Sequence, residues 1–343
     1  MSGHDIIVVG ASAGGVEALI QLAEGLPANL PAAVFVVLHV SMRGTSALPQ
    51  ILDRVGELKA LHPQDHDSIE PGRIYIAPPN YHLLVKSGHL RVIQGPKENG
   101  HRPAIDPLFR SAARAYGRRV VGVILSGTLD DGSAGLLVVK HCGGKAIVQS
   151  PDDALFGEMA RNAMNRVAVD QILPIARIAD VLVQLAHEPV VNKLDHAVSK
   201  NIEFETDMAE IDMDAIEKES DRPGKPSGFG CPSCGGALWE LNEGQFLRFR
   251  CRIGHAWSED SLLVEQSEAV EEALWVALKS LEERTALTLR MAQRARDRQQ
   301  SHMTARYESD ASDLKQHSET LRRILLHAPV QPPNSEPLKG INA

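Results

Sequence analysis

The chain has 343 residues, length for roughly two domains, and its 43% hydrophobic but only 4% aromatic content calls for a large aliphatic core. A formal net charge of -8, from 36 Lys and Arg against 44 Asp and Glu, argues against a general nucleic-acid binder and against an anionic membrane surface as partner. No apolar run approaches the ~18 residues of a membrane span, so no insertion is expected, and residues 1–5 lack the basic segment of a secretory signal. Of the four cysteines, Cys231, Cys234 and Cys251 cluster and Cys142 stands alone; this is not a secreted disulfide framework, and a cytoplasmic protein is expected.

Residues 1–188 alternate apolar runs with helical patterns. Strands are predicted at 6–9, 34–38, 73–76, 120–125 and 146–148, and helices at 14–25 and 133–142, the second closed by Gly143-Gly144. Residues 82–86 and 89–93 read as a hairpin around Ser87-Gly88, an antiparallel addition to the sheet. Asp106-Pro107 reads as a helix start, with Asp106 as cap and proline at the first helical position. Continuous aliphatic strands alternating with helices predict a doubly wound, mostly parallel, Rossmann-like α/β domain. Residues 189–229 read as an acidic, partly helical linker, with nine carboxylates and one lysine between 203 and 221. A small Cys/His module is expected over 230–258, a helical hairpin or coiled coil over 259–327, and a disordered tail over 328–343.

Gly10-Ala11-Ser12-Ala13-Gly14-Gly15 follows the first strand and fits a G-x-S-x-G nucleophile turn. The same segment also fits a phosphate-binding turn, or a tight turn with a capping serine. His39 follows the strand 34–38, and Asp130 and Asp131 follow the strand 120–125. Serine, histidine and aspartate thus fall at the carboxyl ends of strands of one parallel sheet, where open α/β sheets place their sites. A dinucleotide-binding oxidoreductase fits poorly. Ser12 occupies a glycine position of the G-x-G-x-x-G fingerprint, and His39 and Val40 stand where a ribose-binding acid belongs.

Residues 5–187 resemble the catalytic domain of the chemotaxis receptor methylesterases, the CheB family. The matching segments are 8–15, Val37-Leu38-His39-Val40, Gly72-Arg73-Ile74-Tyr75-Ile76-Ala77-Pro78, Asp106-Pro107-Leu108-Phe109, and 125–132, in the family's order. The resemblance implies Ser12 as nucleophile, His39 as base and Asp131 as the orienting acid, with Asp130 as the fallback. It implies hydrolysis of glutamate γ-methyl esters on chemoreceptor helices, with glutamine deamidation as a companion activity and no catalytic cofactor. Backbone N–H groups at Ala13 and Thr128 are the expected oxyanion donors, each worth roughly 3 kcal/mol. Family members linked to receptors usually carry Thr where this chain has Ala13 and Met where it has Thr128, and they begin with a phosphorylatable receiver domain. Here the resemblance starts at residue 5, so control through phosphorylation in cis is not expected. A separate response regulator or a methyltransferase then joins methylated chemoreceptors, or receptor-like signalling proteins, among the expected partners. The alternative is a non-catalytic signalling scaffold that keeps the fold and docks partners through its module and helices.

Cys231-Pro232-Ser233-Cys234 and Cys251-Arg252-Ile253-Gly254-His255 form two knuckles with the donor types of tetrahedral zinc. Four protein ligands leave no open position, so a zinc-ribbon-like structural site is expected, with a protein rather than nucleic acid as contact. His62, His66, His82 and His101 show no metal spacing, and Arg43 reads as solvated or as a contact for an acidic receptor surface. The apolar stripe of the C-terminal helices makes a homodimer one expected assembly.

Overall fold

The computed structural model describes residues 3–40, 46–190, 200–209, 224–243 and 246–327. Arg43, most of the acidic linker and the tail 328–343 lie outside the described residues. The chain divides into two compact units, Met1–Leu263 and Val264–Ala343.

The first unit is built on a seven-stranded, wholly parallel sheet. Its strands are β1 (Ile6–Ala11), β2 (Ala33–Leu38), β3 (Lys59–Leu61), β4 (Arg73–Ile76), β7 (Val120–Ile124), β8 (Lys145–Gln149) and β9 (Gln171–Leu173), in the order β3-β4-β2-β1-β7-β8-β9. Successive side chains of a strand point to opposite faces. The unbroken aliphatic run of β1 therefore divides, with Ile6 and Val8 in one core and Ile7, Val9 and Ala11 in the other. β2 divides the same way, Phe35 and Val37 against Val34, Val36 and Leu38. One core is closed by α3 (Ile105–Tyr116), α4 (Ser133–His141) and α5 (Glu158–Arg166). The other is closed by α1 (Gly15–Glu24), α2 (Leu48–Val55) and α6 (Ile175–His187).

Two expectations are corrected. The hairpin β5–β6 (His82–Val85, Leu90–Ile93) forms its own two-stranded sheet; its Leu83, Val85 and Leu90 fill the core against α3 instead of extending the parallel sheet. Helix α3 begins at Ile105 with Ala104 in the cap position, so Asp106 is no N-cap. Its carboxylate is buried and accepts the N–H groups of Gly132 (3.1 Å) and Gly135 (2.6 Å) at the start of α4.

After α7 (Lys200–Ala209), β10 (Lys225–Gly230), β11 (Ala237–Glu243), β12 (Phe246–Cys251) and β13 (Ala256–Ser258) form an antiparallel sheet. β10 thus reaches back into the segment expected to be linker. The second unit holds most of α8 (Glu259–Asp297) and all of α9 (Ser301–His327). The pairs Arg296–Glu308 and Arg322–Glu282 set these two helices antiparallel, a helical hairpin. Among the described residues no helix is long and apolar enough to cross a membrane.

Candidate active site

β1 and β7 are neighbours at the centre of the sheet, and the chain leaves them toward opposite edges. That reversal opens a crevice at their carboxyl ends. The turn after β1 carries Ser12, whose N–H donates to the Ser126 carbonyl at the end of β7 (2.9 Å). The Ser126 hydroxyl donates to the Ala13 carbonyl (2.8 Å) and accepts the Phe156 N–H (2.9 Å). The His39 N–H donates to the Ala11 carbonyl (3.1 Å), which ties the end of β2 to β1. Backbone bonds therefore set the spacing of the three turns before any side chain is placed.

Glycine is required twice here. Gly14 lies at φ 67°, in the left-handed region, where the turn swings into α1. A Cβ at Gly127 would stand 2.6 Å from Met159 Cε and 2.9 Å from Ser12 Cβ, so only glycine lets the β7 turn pass the serine.

Ser12, His39 and Asp131 are brought together. His39 Nδ1 lies 3.1 Å from Ser12 Oγ, and His39 Nε2 lies 2.8 Å from Asp131 Oδ2. The Asp131 carboxylate only accepts, so it fixes the Nε2–H tautomer and leaves Nδ1 to accept a proton. Ser12 is half-buried, while the side chains of His39 and Asp131 are 6% and 2% exposed. Burial alone would push the Asp131 carboxyl up. The hydrogen bond and charge of His39, with the Ile105 N–H at 2.7 Å, outweigh it and hold the group well below the usual carboxylate range. Further donors are Gly132 N–H (3.0 Å) and Asn99 Nδ2 (2.9 Å), so the acid is an ionised, fixed anion.

Asp130 points elsewhere. It accepts Arg166 Nη1 (2.5 Å) and the Ser258 hydroxyl (2.6 Å), and no hydrogen bond joins it to His39 among the described residues. The Ala13 and Thr128 amides, expected as oxyanion donors, make no hydrogen bond to a backbone carbonyl among the described residues.

His101, which shows no metal spacing, stacks its ring on His39, centroids 3.7 Å apart and planes 14° apart. Burial, reinforced by the charge of His39, pushes His101 down to about 4. It is therefore an uncharged plate against the imidazole at neutral pH. Asp106, two positions into α3, is pushed up to about 6 by burial, against Arg248 and with the neighbouring Asp131 charge. His101 carried no local signal, and the local signal of Asp106 was that of a helix cap, not of a buried carboxylate.

The Cys/His module contains a second set of convergent donors. The Sγ atoms of Cys231, Cys234 and Cys251 and a ring nitrogen of His255 all lie within 4.8 Å of one another. His255 Nδ1 stands 3.7 Å from Cys231 Sγ and 3.6 Å from Cys251 Sγ, and the Cys234 and Cys251 sulfurs are 3.7 Å apart. Zinc–ligand lengths of about 2.3 Å (S) and 2.0–2.1 Å (N) give tetrahedral edges of about 3.8 and 3.6 Å. The four residues therefore fit the donor set and the size of such a site. No disulfide competes, since all four cysteines are free.

The CheB methylesterase family model matches residues 7–182, just over half of the chain. A protein of Leptospira interrogans named for protein-glutamate methylesterase and protein-glutamine glutaminase activity is 35% identical over 183 residues, 53% of this chain and 95% of that one. A protein-glutamate methylesterase/protein-glutamine glutaminase of Anaeromyxobacter dehalogenans is 40% identical over 182 residues, 53% of each chain, so the chain spans about half of that relative. The crystal structure of the Thermotoga maritima CheB methylesterase catalytic domain superposes with a TM-score of 0.52 at 32% identity, covering 54% of this chain and all of that one. The chain belongs to the CheB methylesterase family.

Proposed function

We propose that the protein hydrolyses glutamate γ-methyl esters on methylated chemoreceptors or receptor-like signalling proteins, with Ser12 as nucleophile, His39 as general base and Asp131 as the acid that orients it. The observation that carries this reading is the unbroken relay Ser12 Oγ–His39 Nδ1, His39 Nε2–Asp131 Oδ2, at 3.1 and 2.8 Å.

Ser12 Oγ attacks the ester carbonyl as its proton passes to His39 Nδ1, and the new imidazolium is held by Asp131. The Ala13 and Thr128 N–H groups then face the oxyanion, beside the N-terminus of α1. Collapse breaks the bond to the methoxy oxygen, which takes the proton from Nδ1 and leaves as methanol. Water, deprotonated by the same nitrogen, attacks the acyl-serine; the Ser12–acyl bond breaks, Ser12 Oγ takes the proton back from Nδ1, and free glutamate is released. A glutamine side chain follows the same course and loses ammonia. No cofactor enters either step.

Exposed Leu155 beside Gly14, with exposed Phe156 next in the chain, offers an apolar rim suited to a protein substrate. Cys231, Cys234, Cys251 and His255 would hold a structural zinc ion whose role is to fold the module; all four positions are filled by protein. The exposed Val270, Trp275, Val276 and Leu287 on α8 support a homodimer through the C-terminal helices. A cytoplasmic location, and control by a separate response regulator or methyltransferase, complete the reading.

The test is methanol release from methylated receptor membranes of the source organism. Release by the wild type and none by Ser12→Ala is expected. Equal release by both contradicts the nucleophile assignment, and release by neither contradicts the receptor substrate.

A further inference from the structure

The relay ends on Asp131, but the hydrogen bonds do not. Besides His39, a single side chain donates to this carboxylate among the described residues: Asn99, whose Nδ2 reaches Asp131 Oδ1 at 2.9 Å and Asp106 Oδ2 at 3.2 Å. The other end of that amide faces the Cys/His module. Asn99 Oδ1 accepts the Ser258 N–H (2.9 Å) and the Ser261 hydroxyl (3.2 Å). The two ends have opposite requirements, donors toward two carboxylates and an acceptor toward two donors. An amide fits this position, and neither a carboxylate nor an apolar side chain does.

The chain around Asn99 is locked to the same strand. Its N–H donates to the Ala256 carbonyl (2.8 Å), and the Ala256 N–H donates to the Lys97 carbonyl (3.2 Å). Ala256 directly follows His255, one of the four convergent donors. Asn99 is 5% exposed and sits at φ 51°, in the left-handed region that asparagine adopts more readily than other non-glycine residues.

A second bond system fixes the module at this place. Arg248 and Arg250 of β12 enter the interior, where Arg248 reaches Asp106 (2.8 Å) and Glu98 (3.2 Å) and Arg250 reaches Glu98 (3.0 Å) and Glu205 (3.1 Å). Arg110 closes the cluster on Glu98 (2.7 Å). Three cations meet three carboxylates, each side chain at most 3% exposed.

We propose that Asn99 is a positioning residue through which the Cys/His module sets the geometry of Asp131, so that the esterase works at full rate only while its module is folded around its metal. The proposal rests on the esterase reading above. The route is short: His255 leads into β13, β13 holds Asn99, Asn99 holds Asp131, and Asp131 orients His39. Loss of metal frees the His255 knuckle, and the β13 contacts that fix the Asn99 amide go with it.

The test uses the full chain, zinc-loaded, with p-nitrophenyl acetate as a small ester that needs no receptor docking. Ser12→Ala supplies the baseline. The second readout is the low-field proton resonance of His39 Nε2–H, which reports its hydrogen bond to Asp131 without any turnover. Asn99→Leu is expected to lower kcat at least about tenfold, with KM within twofold and the resonance displaced, while far-UV circular dichroism stays native. Stripping zinc from the wild type with a chelator should displace the same resonance, and restoring zinc should bring it back. If the Leu variant does not fold, Ser261→Ala, which removes one acceptor contact of Asn99, is expected to move the resonance in the same direction with a kcat loss of about two- to threefold.

An unmoved resonance in the folded variants and in the stripped protein overturns the proposal, as does a kcat loss matched by an equal rise in KM with the resonance in place. If wild type and Ser12→Ala hydrolyse the ester alike, the esterase reading fails, and the resonance alone decides the role of Asn99.

Discussion

The parallel layer and the Cys/His module both hold polar groups at fixed distances, by different means. In the layer, two aliphatic cores clamp the sheet from both faces, and the ends of β1, β2 and β7 deliver Ser12, His39 and Asp131 to one edge. Among the described residues, the buried core of the module is Cys231, Leu238, Phe249, Cys251, Trp257 and Leu262. A core that small does not hold a fold by itself. β12 shows how the deficit is met. Its Phe249 and Cys251 face the module's core, while Phe246, Arg248 and Arg250 face the layer. The larger region holds its convergent side chains by hydrophobic burial, and the smaller one joins it through paired, buried charges. A single substitution should therefore cost chemistry in the first and folding in the second.

The largest effect is expected where the chemistry lies. Asp131→Asn should lower kcat by about 10⁴, because the amide cannot fix the Nε2–H tautomer. Asp130→Asn should stay within about tenfold of wild type, since that carboxylate serves Arg166 and Ser258. Comparable losses in the two variants would reverse the assignment.

In the module, Cys251→Ala should remove the bound zinc and unfold residues 231–258, read as zinc content and as lost protection from hydrogen exchange there. Protection in β1, β2 and β7 should persist, because their cores do not involve the knuckles. Exchange rising equally in both regions would erase the distinction between them.

Arg248→Met tests the join. It leaves Glu98, Asp106 and Glu205 facing two cations, which should cost about 3–5 kcal/mol in urea unfolding of the full chain. A change below about 1 kcal/mol would mean that these charges are solvated in solution.

The smallest effect concerns pH. The unfolded His101 binds its proton near its ordinary value of 6.5, the folded one only near 4. The folded state therefore loses stability as pH falls through that window, and keeps the full contribution above it. Nuclear magnetic resonance titration of His101 should show a midpoint near 4; a midpoint near 6.5 would mean that the ring is solvated and not stacked on His39.

Much of this was legible in the sequence where the signal was local. Runs such as Ile6–Val9 and Val34–Leu38 are apolar without alternation because both faces of their strands are buried, and that pattern names a parallel sheet. The serine turn, His39 and the pair Asp130-Asp131 were readable because strand ends in such a sheet share an edge; the choice of Asp131 within the pair rested on the family resemblance. The knuckles were readable because their short C-x2-C and C-x3-H spacings bring the donors together locally. Asp106 misled because an aspartate before a proline is a common cap, whereas its partners here are two amides of α4, 26 and 29 residues away. Asn99 gave no signal, since its partners Asp131 and Ser258 lie 32 and 159 residues along the chain, and His101 gave none, since it stacks on His39 from a different segment. Arg248 and Arg250 alternate with Leu247 and Phe249, the pattern of a strand with one solvated face. Their buried carboxylates belong to segments that no spacing rule connects to β12.

The central claim is that Ser12, His39 and Asp131 act as one acyl-transfer relay. The most direct measurement is the rate at which a fluorophosphonate labels the full chain, with the modified residue located by mass spectrometry. The account predicts a single adduct on Ser12, slowed at least about a hundredfold by Asp131→Asn and little changed by Asp130→Asn. Labelling at another residue, or at Ser12 with a rate indifferent to Asp131, would contradict it.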